Sequence, residues 1–325
     1  MLSFLIPPWV SVFALGVAPS IVAMSHKIEN CAKRGLNGSA DVLEQTGYPG
    51  PGAQLTEYSV EYSKGRDAPR WYLWDGGFLA VGRSEGVIPP HAHHAIQIVI
   101  SIDGMASIRG ARSDWRSGRG IIVRPDVKHS YNGQGSLGAM LMLDPESTEG
   151  TWLRTALVED ITLLPDAALA SCVTELRRFC ELPFESLAVP ALIRHCVQAL
   201  CTGEPPTRHR DPRVTSVLNA IRASTDLRMS VETAAATVHL SPSRFAHLFK
   251  LQVGLPFRRY MLWRKLTRAT LAIARERTIT AAAQAADFAD AAHVTRTFHQ
   301  MFGIPPSTML RGDFFEITSP FELAR

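Results

Sequence analysis

A chain of 325 residues has room for two domains, and its composition, 46% hydrophobic and 20% charged with a mean hydropathy of +0.02, is that of a soluble globular protein and excludes a fibrous or low-complexity one. The net charge of +4 is unevenly spread: residues 205–313 hold 16 Lys/Arg against 7 Asp/Glu, and residues 1–204 hold 17 against 21. A basic back half behind a slightly acidic front half points to a polyanionic partner for the back half. Five cysteines without CxxC spacing argue against a disulfide framework or a structural zinc site.

The first 24 residues are uncharged and mostly apolar. They lack the basic start of a secretory signal, and Pro7, Pro8 and Pro19 interrupt them too often for a spanning helix. Met24 is the expected start, with residues 1–23 untranslated, and the protein is expected in the cytoplasm with no membrane partner. Residues 54–143 read as β. Apolar runs at Gly77–Val81, Ile96–Ile102, Gly120–Val123 and Ala139–Leu143 are separated by Gly, Pro and Asp-Gly turn signals. Many short strands at this spacing predict a barrel or jelly roll. Residues 150–201 switch to helical periodicity. Leu169, Cys172, Val173, Leu176 and Phe179 form one stripe, and a second helix runs to Leu200 after Pro190. The two make a hairpin that packs on the barrel or on a second subunit. The four cysteines of this stretch (Cys172, Cys180, Cys196 and Cys201) read as small buried hydrophobes.

Residues 202–213 are polar and Pro-rich, a linker. Beyond it lie two copies of one pattern. In the first, Ser230 caps a short helix with an Ala/Val stripe, His239-Leu240 breaks it, and Ser241-Pro242 starts a second helix that Gly254 ends. Phe245, Leu248 and Phe249 form that helix's core face, leaving Ser243, Arg244, His247 and Lys250 outward. A long helix, Pro256 to Glu276, follows with Arg258, Arg259, Arg264, Lys265 and Arg268 on a basic side. In the second copy Thr280 caps, Asp287–Asp290 turns, and Ala291–Phe302 forms the second reading helix. Val294, Phe298 and Phe302 point inward there, and His293, Arg296, Thr297 and His299 point outward. Each copy is a helix-turn-helix whose second helix offers donors to phosphates and base edges. The tail from Gly312 on has no clear pattern.

The stretches LSPSRFAHLFKLQVGLPFRRYMLWRKLTRA and ITAAAQAADFADAAHVTRTFHQMFGIPPS resemble the DNA-binding domain of AraC/XylS-type regulators, in register over about a hundred residues. Asp287 stands where that family usually has a turn glycine, and Val294 where it usually has an aromatic. The front half resembles a cupin: GVIPPHAHHAIQIVISIDG carries the first motif and GIIVRPDVKHSYN the second. The metal positions of cupins fall on His91, His93, Gln97 and His129, with Gln97 in place of a carboxylate. Residues 91, 93 and 97 share parity and so one face; Ile96, Ile98, Ile100 and Ile102 take the other, which something must cover. His94 has no expected site role. Trp71, Trp74 and Trp115 are candidate cavity walls.

The expected fold is α+β, a cupin-like β-barrel with a helical hairpin followed by an all-α double helix-turn-helix domain. The expected divisions are an N-terminal segment 1–53, an effector and dimerisation domain 54–201, the linker 202–213, a DNA-binding domain 214–311 and a tail 312–325. The expected protein is a homodimeric, sequence-specific transcription regulator, not an enzyme. Its partners are double-stranded DNA and a small-molecule effector lined by His91, His93, Gln97 and His129, and no cofactor is called for. Two alternatives stay open: a cupin metalloenzyme using those four residues, and a constitutive DNA-binding protein with a degenerate barrel.

Overall fold

The computed structural model describes residues 70–84, 86–181, 188–201, 210–310 and 314–317, all within the unit Thr56–Arg325. Expectations for residues 1–69, for linker residues 202–209 and for the tail beyond Ile317 lie outside the described residues.

The front half consists of β1 (Arg70–Trp74), β2 (Gly77–Ser84), β3 (Val87–His91), β4 (Ile96–Ser101), β5 (Ala106–Gly110), β6 (Arg116–Gly118), β7 (Gly120–Val123), β8 (His129–Asn132) and β9 (Ser136–Leu143). Then come α1 (Thr148–Ala156), β10 (Ile161–Leu164), α2 (Asp166–Glu181) and α3 (Val189–Leu200). The strands form two sheets and not the closed barrel expected from the sequence. One has seven strands in the order β10-β7-β4-β9-β2-β1-β11, the other four in the order β3-β8-β5-β6. β11 (Phe314–Ile317) is unforeseen: the tail returns to pair in parallel with β1, Arg70 opposite Phe314.

Alternation along the strands gives the large sheet two apolar faces, and both are buried. One face presents Tyr72, Leu79, Val81, Ile96, Ile98, Ile100 and Leu141 to the hairpin residues Leu169, Cys172, Leu176, Phe179, Leu192, Ile193 and Cys196 in a shared core. The hairpin therefore covers the isoleucine face of its own chain. The opposite face is divided. Val99, Ile121 and Val123 meet Ala106, Ile108 and Tyr131 of the small sheet. Trp71, Leu73, Phe78 and Met142 instead meet helices of the back half. The four-stranded sheet is too short to cover the whole face, and helices take the remainder. This double burial accounts for β4 (IQIVIS), in which every residue is buried.

The back half comprises α4 (Pro212–Ala223), α5 (Val231–Thr237), α6 (Pro242–Val253), α7 (Phe257–Glu276), α8 (Ile279–Ala285), α9 (Ala291–Phe302) and α10 (Ser307–Leu310). The caps follow the sequence closely. Ser230 Oγ accepts from the Thr233 N–H, Ser241 Oγ from the Arg244 N–H, and Asp290 from the His293 N–H. Gly254 ends α6 in the left-handed region at φ +91°. One cap differs: α8 starts two residues earlier than expected, with Thr278 in place of Thr280 as its cap.

The first helix-turn-helix has its own core. Phe245, Phe249, Phe257 and Tyr260 pack edge to face, joined by Val214, Leu218, Ile221 and Met261. The second does not. Trp263, Leu266, Ile273, Val294, Phe298 and Phe302 share one core with Trp71, Leu73, Phe78 and Met142 of the sheet. The division between the two cores falls inside α7, between Met261 and Trp263.

Candidate ligand cavity and nucleic-acid interface

His91, His93 and His129 come together as the sequence spacing implies. Their rings lie 4.2–5.6 Å apart, centroid to centroid. Each Nδ1 bonds a nearby backbone carbonyl: His91 that of Pro89 at 2.8 Å, His93 that of Ala95 at 3.0 Å, His129 that of Val127 at 2.9 Å. The remaining nitrogens converge, with one ligand atom from each ring within 4.8 Å of the others. The Gln97 side-chain oxygen lies 3.0 Å from His93 Nε2 and 3.1 Å from His129 Nε2, and the Gln97 amide nitrogen has no partner. With each Nδ1 carrying the ring proton, both Nε2 atoms are acceptors. Turning the Gln97 amide over would let its NH2 group donate to both and remove the orphan. Burial drives all three imidazoles to the neutral form. His91 is pushed down to about 3 by burial and then by His93; His93 and His129 are lowered for the same first reason.

Beside this cluster lies a mainly apolar cavity. Its front-half wall includes Trp71, Phe78, Val99, Tyr131 and Met140, with His91, Gln97 and Ser101 as polar points. Its other wall comes from the back half: Thr270 on α7, Phe298 and Phe302 on α9, then Ile304 and Met309. The His93 and Phe302 rings stack at 6.4 Å. Contact is close at Gly303, the left-handed cap of α9 at φ +73°. A Cβ there would sit 2.6 Å from Ile88 Cγ2 and 3.0 Å from the Pro89 carbonyl. Gly303→Ala is therefore expected to cost about 1–3 kcal/mol through crowding and backbone strain, read as a lower midpoint of thermal unfolding. Of the three candidate tryptophans only Trp71 lines this cavity. Trp74 lines a separate polar cavity, and Trp115 is exposed under Arg109.

His94, expected to have no role, is buried at the junction of the two halves. Its Nδ1 is 2.9 Å from Asp126 and its Nε2 3.2 Å from Glu146, while the Tyr260 and Trp263 rings of α7 stand edge-on to it. Burial alone would favour the neutral ring, but the two carboxylates overcome it and hold the imidazolium up to about 9. Around it, Arg222 of α4 bonds Asp144 at 3.1 Å and Arg264 of α7 bonds Asp75 at 2.6 Å. Arg154 reaches Glu146 at 3.4 Å and the Val253 carbonyl at 3.5 Å. Arg264 is only 2% exposed, so it leaves the basic outer side on which the sequence reading placed it. Helical spacing alone does not separate these groups from surface charges; their partners lie 78 and 189 residues away.

On α6, Ser243, Arg244, His247 and Lys250 are all exposed, on the outward side that the helical spacing gave them. On α9, Arg296 and His299 are exposed, and His293 is half-buried with its ring edge-on to Phe288 at 5.0 Å. Thr297 is a correction: it is 3% exposed, because it falls on the same stripe as Val294 and Phe298. No helix among the described residues is long and apolar enough to cross a membrane.

Comparison with known proteins covers most of the chain at low identity. A curated relative, the probable transcriptional regulator LumQ of Photobacterium leiognathi, is 21% identical over 224 residues, covering 67% of this chain and 90% of that protein. The solved structure of ToxT from Vibrio cholerae covers 72% of this chain and 98% of its own, at 9% identity and a TM-score of 0.48. The AraC-like transcriptional activator CuxR covers 60% of this chain and 77% of its own, at 12% identity and a TM-score of 0.33. A family model described as a helix-turn-helix domain matches residues 234–312, the stretch that carries both reading helices.

Proposed function

We propose that this chain is a ligand-responsive, sequence-specific DNA-binding transcription regulator of the AraC/XylS type, with a cupin-like sensor in front of its two helix-turn-helix units. One observation carries the reading. The sensor cavity is closed on one side by Phe298 and Phe302, which also form the inner face of the second reading helix. A molecule that enters must change the packing under α9, so binding and DNA geometry share a wall. The lining fits a small, largely apolar effector with one hydrogen-bonding end directed at Gln97, His91 or Ser101. The resemblance further implies a homodimer in the cytoplasm, which sedimentation of the purified chain tests.

The test is selection of duplexes from a randomised library by the full-length chain at fixed salt, since phosphate contacts make affinity steeply salt-dependent. A common sequence is the expected result; binding without preference overturns the reading. Arg244→Ala is expected to weaken binding to the selected duplex by about 1–3 kcal/mol and to relax preference at one position, measured by anisotropy titration. A uniform loss across sequences would instead assign Arg244 to phosphate.

The three-histidine cluster favours a second reading, a metalloenzyme. The donor set fits a borderline transition ion: three neutral imidazoles fixed from behind by carbonyls, with a fourth donor available if the Gln97 amide presents its oxygen and not its NH2 group. His91, His93, His129 and Gln97 would hold the ion, which would supply Lewis-acid chemistry. Elemental analysis of the purified chain separates the readings: the enzyme requires one tightly held ion per chain and turnover that a chelator abolishes.

A further inference from the structure

The two helix-turn-helix units are packed on opposite ends of α7, the first around Tyr260 and Met261, the second from Trp263 onward. A single helix joining two cores fixes their separation, and the angle at which each unit sits on it is set by contacts made off the helix. The loop that enters the first unit adds further ties. Arg268 of α7 donates to the carbonyls of Ser224 and Thr225. Asp287, in the turn of the second unit, reaches the same loop. Its Oδ2 accepts the Leu227 N–H at 2.9 Å and its Oδ1 accepts from Arg228 Nε at 2.8 Å. Its own carbonyl accepts from Lys265 Nζ of α7 at 2.9 Å.

We propose that Asp287 is a positioning residue for DNA recognition: it ties the entry loop of the first helix-turn-helix to the turn of the second, and so sets the separation and angle of α6 and α9. This rests on the DNA-binding reading above. The turn itself does not need an aspartate. Residue 287 sits in the left-handed region at φ +57°, where glycine is the least strained choice and aspartate is merely tolerated. What aspartate adds is a carboxylate 13% exposed and aimed at another unit. The Arg228 side chain is 74% exposed, so that ion pair is screened and worth little. The bond that counts is the one from the part-buried Leu227 N–H to a charged acceptor. Leu227 is 2% exposed and belongs to the first unit's core, so the tie ends on a packed residue and not on a loose loop.

Asp287→Gly separates this role from turn formation, because glycine relaxes the turn while removing the tie. Two measurements on the full-length chain decide it. The first is hydrogen exchange without DNA. Residues 224–230 are expected to exchange about tenfold faster in Asp287→Gly, while α8 and α9 keep their protection. Asp287→Asn, which keeps one acceptor oxygen, should fall between. Unchanged exchange in 224–230 overturns the tie whether or not DNA binds; faster exchange through α8 and α9 as well overturns it too, since the residue would then be supporting the turn. The second uses the duplex selected by the wild-type chain, with one or two base pairs inserted or removed between its half-sites. One base pair turns a half-site by about a tenth of a helical turn. The wild type is expected to lose about tenfold in affinity per base pair, and Asp287→Gly less than about threefold. Identical spacing profiles overturn the positioning role. If the wild type selects no duplex, the regulator reading fails, and the exchange measurement still decides the tie.

Discussion

Phe302→Ala is expected to destabilise the chain by about 3–5 kcal/mol, read from the midpoint of urea unfolding at constant slope. Phe302 is the last residue of α9 and is 8% exposed. Its ring meets Phe298 at 4.8 Å, Trp263 at 6.1 Å, Phe78 at 6.2 Å and His93 at 6.4 Å. Two of these partners belong to the back half and two to the front, so truncation opens a void that neither half can close alone. The first helix-turn-helix has a separate core, and protection of amides in α6 should persist in the variant. A cost below about 1.5 kcal/mol would mean that the site collapses around the gap and that the shared core is looser than its contacts imply.

Asp144→Ala carries the second large effect, about 2–4 kcal/mol, discounted from the cost of breaking a fully buried pair because the Arg222 side chain is 33% exposed. The loss has two parts. Arg222 keeps its charge at the junction without its partner, and the Glu146 N–H loses the Asp144 Oδ1 acceptor at 2.8 Å. Burial pushes the Asp144 carboxyl up, but Arg222 and the neighbouring donors hold it below the usual carboxylate range. Its contribution is therefore present above the ordinary carboxylate pKa and is lost as pH falls through the lower folded value. The double variant Asp144→Ala with Arg222→Ala should recover part of the loss, with a coupling of about 0.5–3 kcal/mol. Strict additivity of the two single changes would show that the bond contributes nothing to joining α4 to the front half.

The back half was legible in the sequence because its determinants are local. A Ser-Pro start, a glycine stop and an aromatic stripe each act within one or two turns, and α6 and α9 run where those signals put them. The two exceptions are also local: Thr278 competes with Thr280 for the cap of α8, and Thr297 turns inward because the apolar arc of α9 is wider than three residues. In the front half, strand parity holds for this cluster only along β4, where Gln97 alternates with Ile96 and Ile98, because His91 ends β3 of the other sheet and His93 lies between the two strands. The convergence of His91, His93, Gln97 and His129 was legible from motif spacing. The shape of the β domain was not. Whether strands close into a barrel depends on what else covers their inner face, and here that cover is α7 and α9, more than 120 residues downstream. His94, Asp144 and Arg264 were missed for the same reason: a buried ion pair between distant segments leaves no period in the sequence. The return of Phe314–Ile317 to β1 has no sequence signal beyond a short apolar run at the chain's end.

The core shared between the β-sheet and the second helix-turn-helix has a consequence for exchangeability. By composition alone, the Pro-rich stretch 202–213 is the natural place to cut when exchanging front halves between related chains. Such a graft would bring together a cavity whose walls come from two parents, Trp71 and Phe78 from one and Phe298 and Phe302 from the other. It would also leave an apolar sheet face searching for a new cover. The seam that follows the packing lies within a single helix, between Met261 and Trp263, so the portable piece is the first helix-turn-helix alone. The β-sheet and α9 form one packed unit, and a change of volume on one side must be matched on the other.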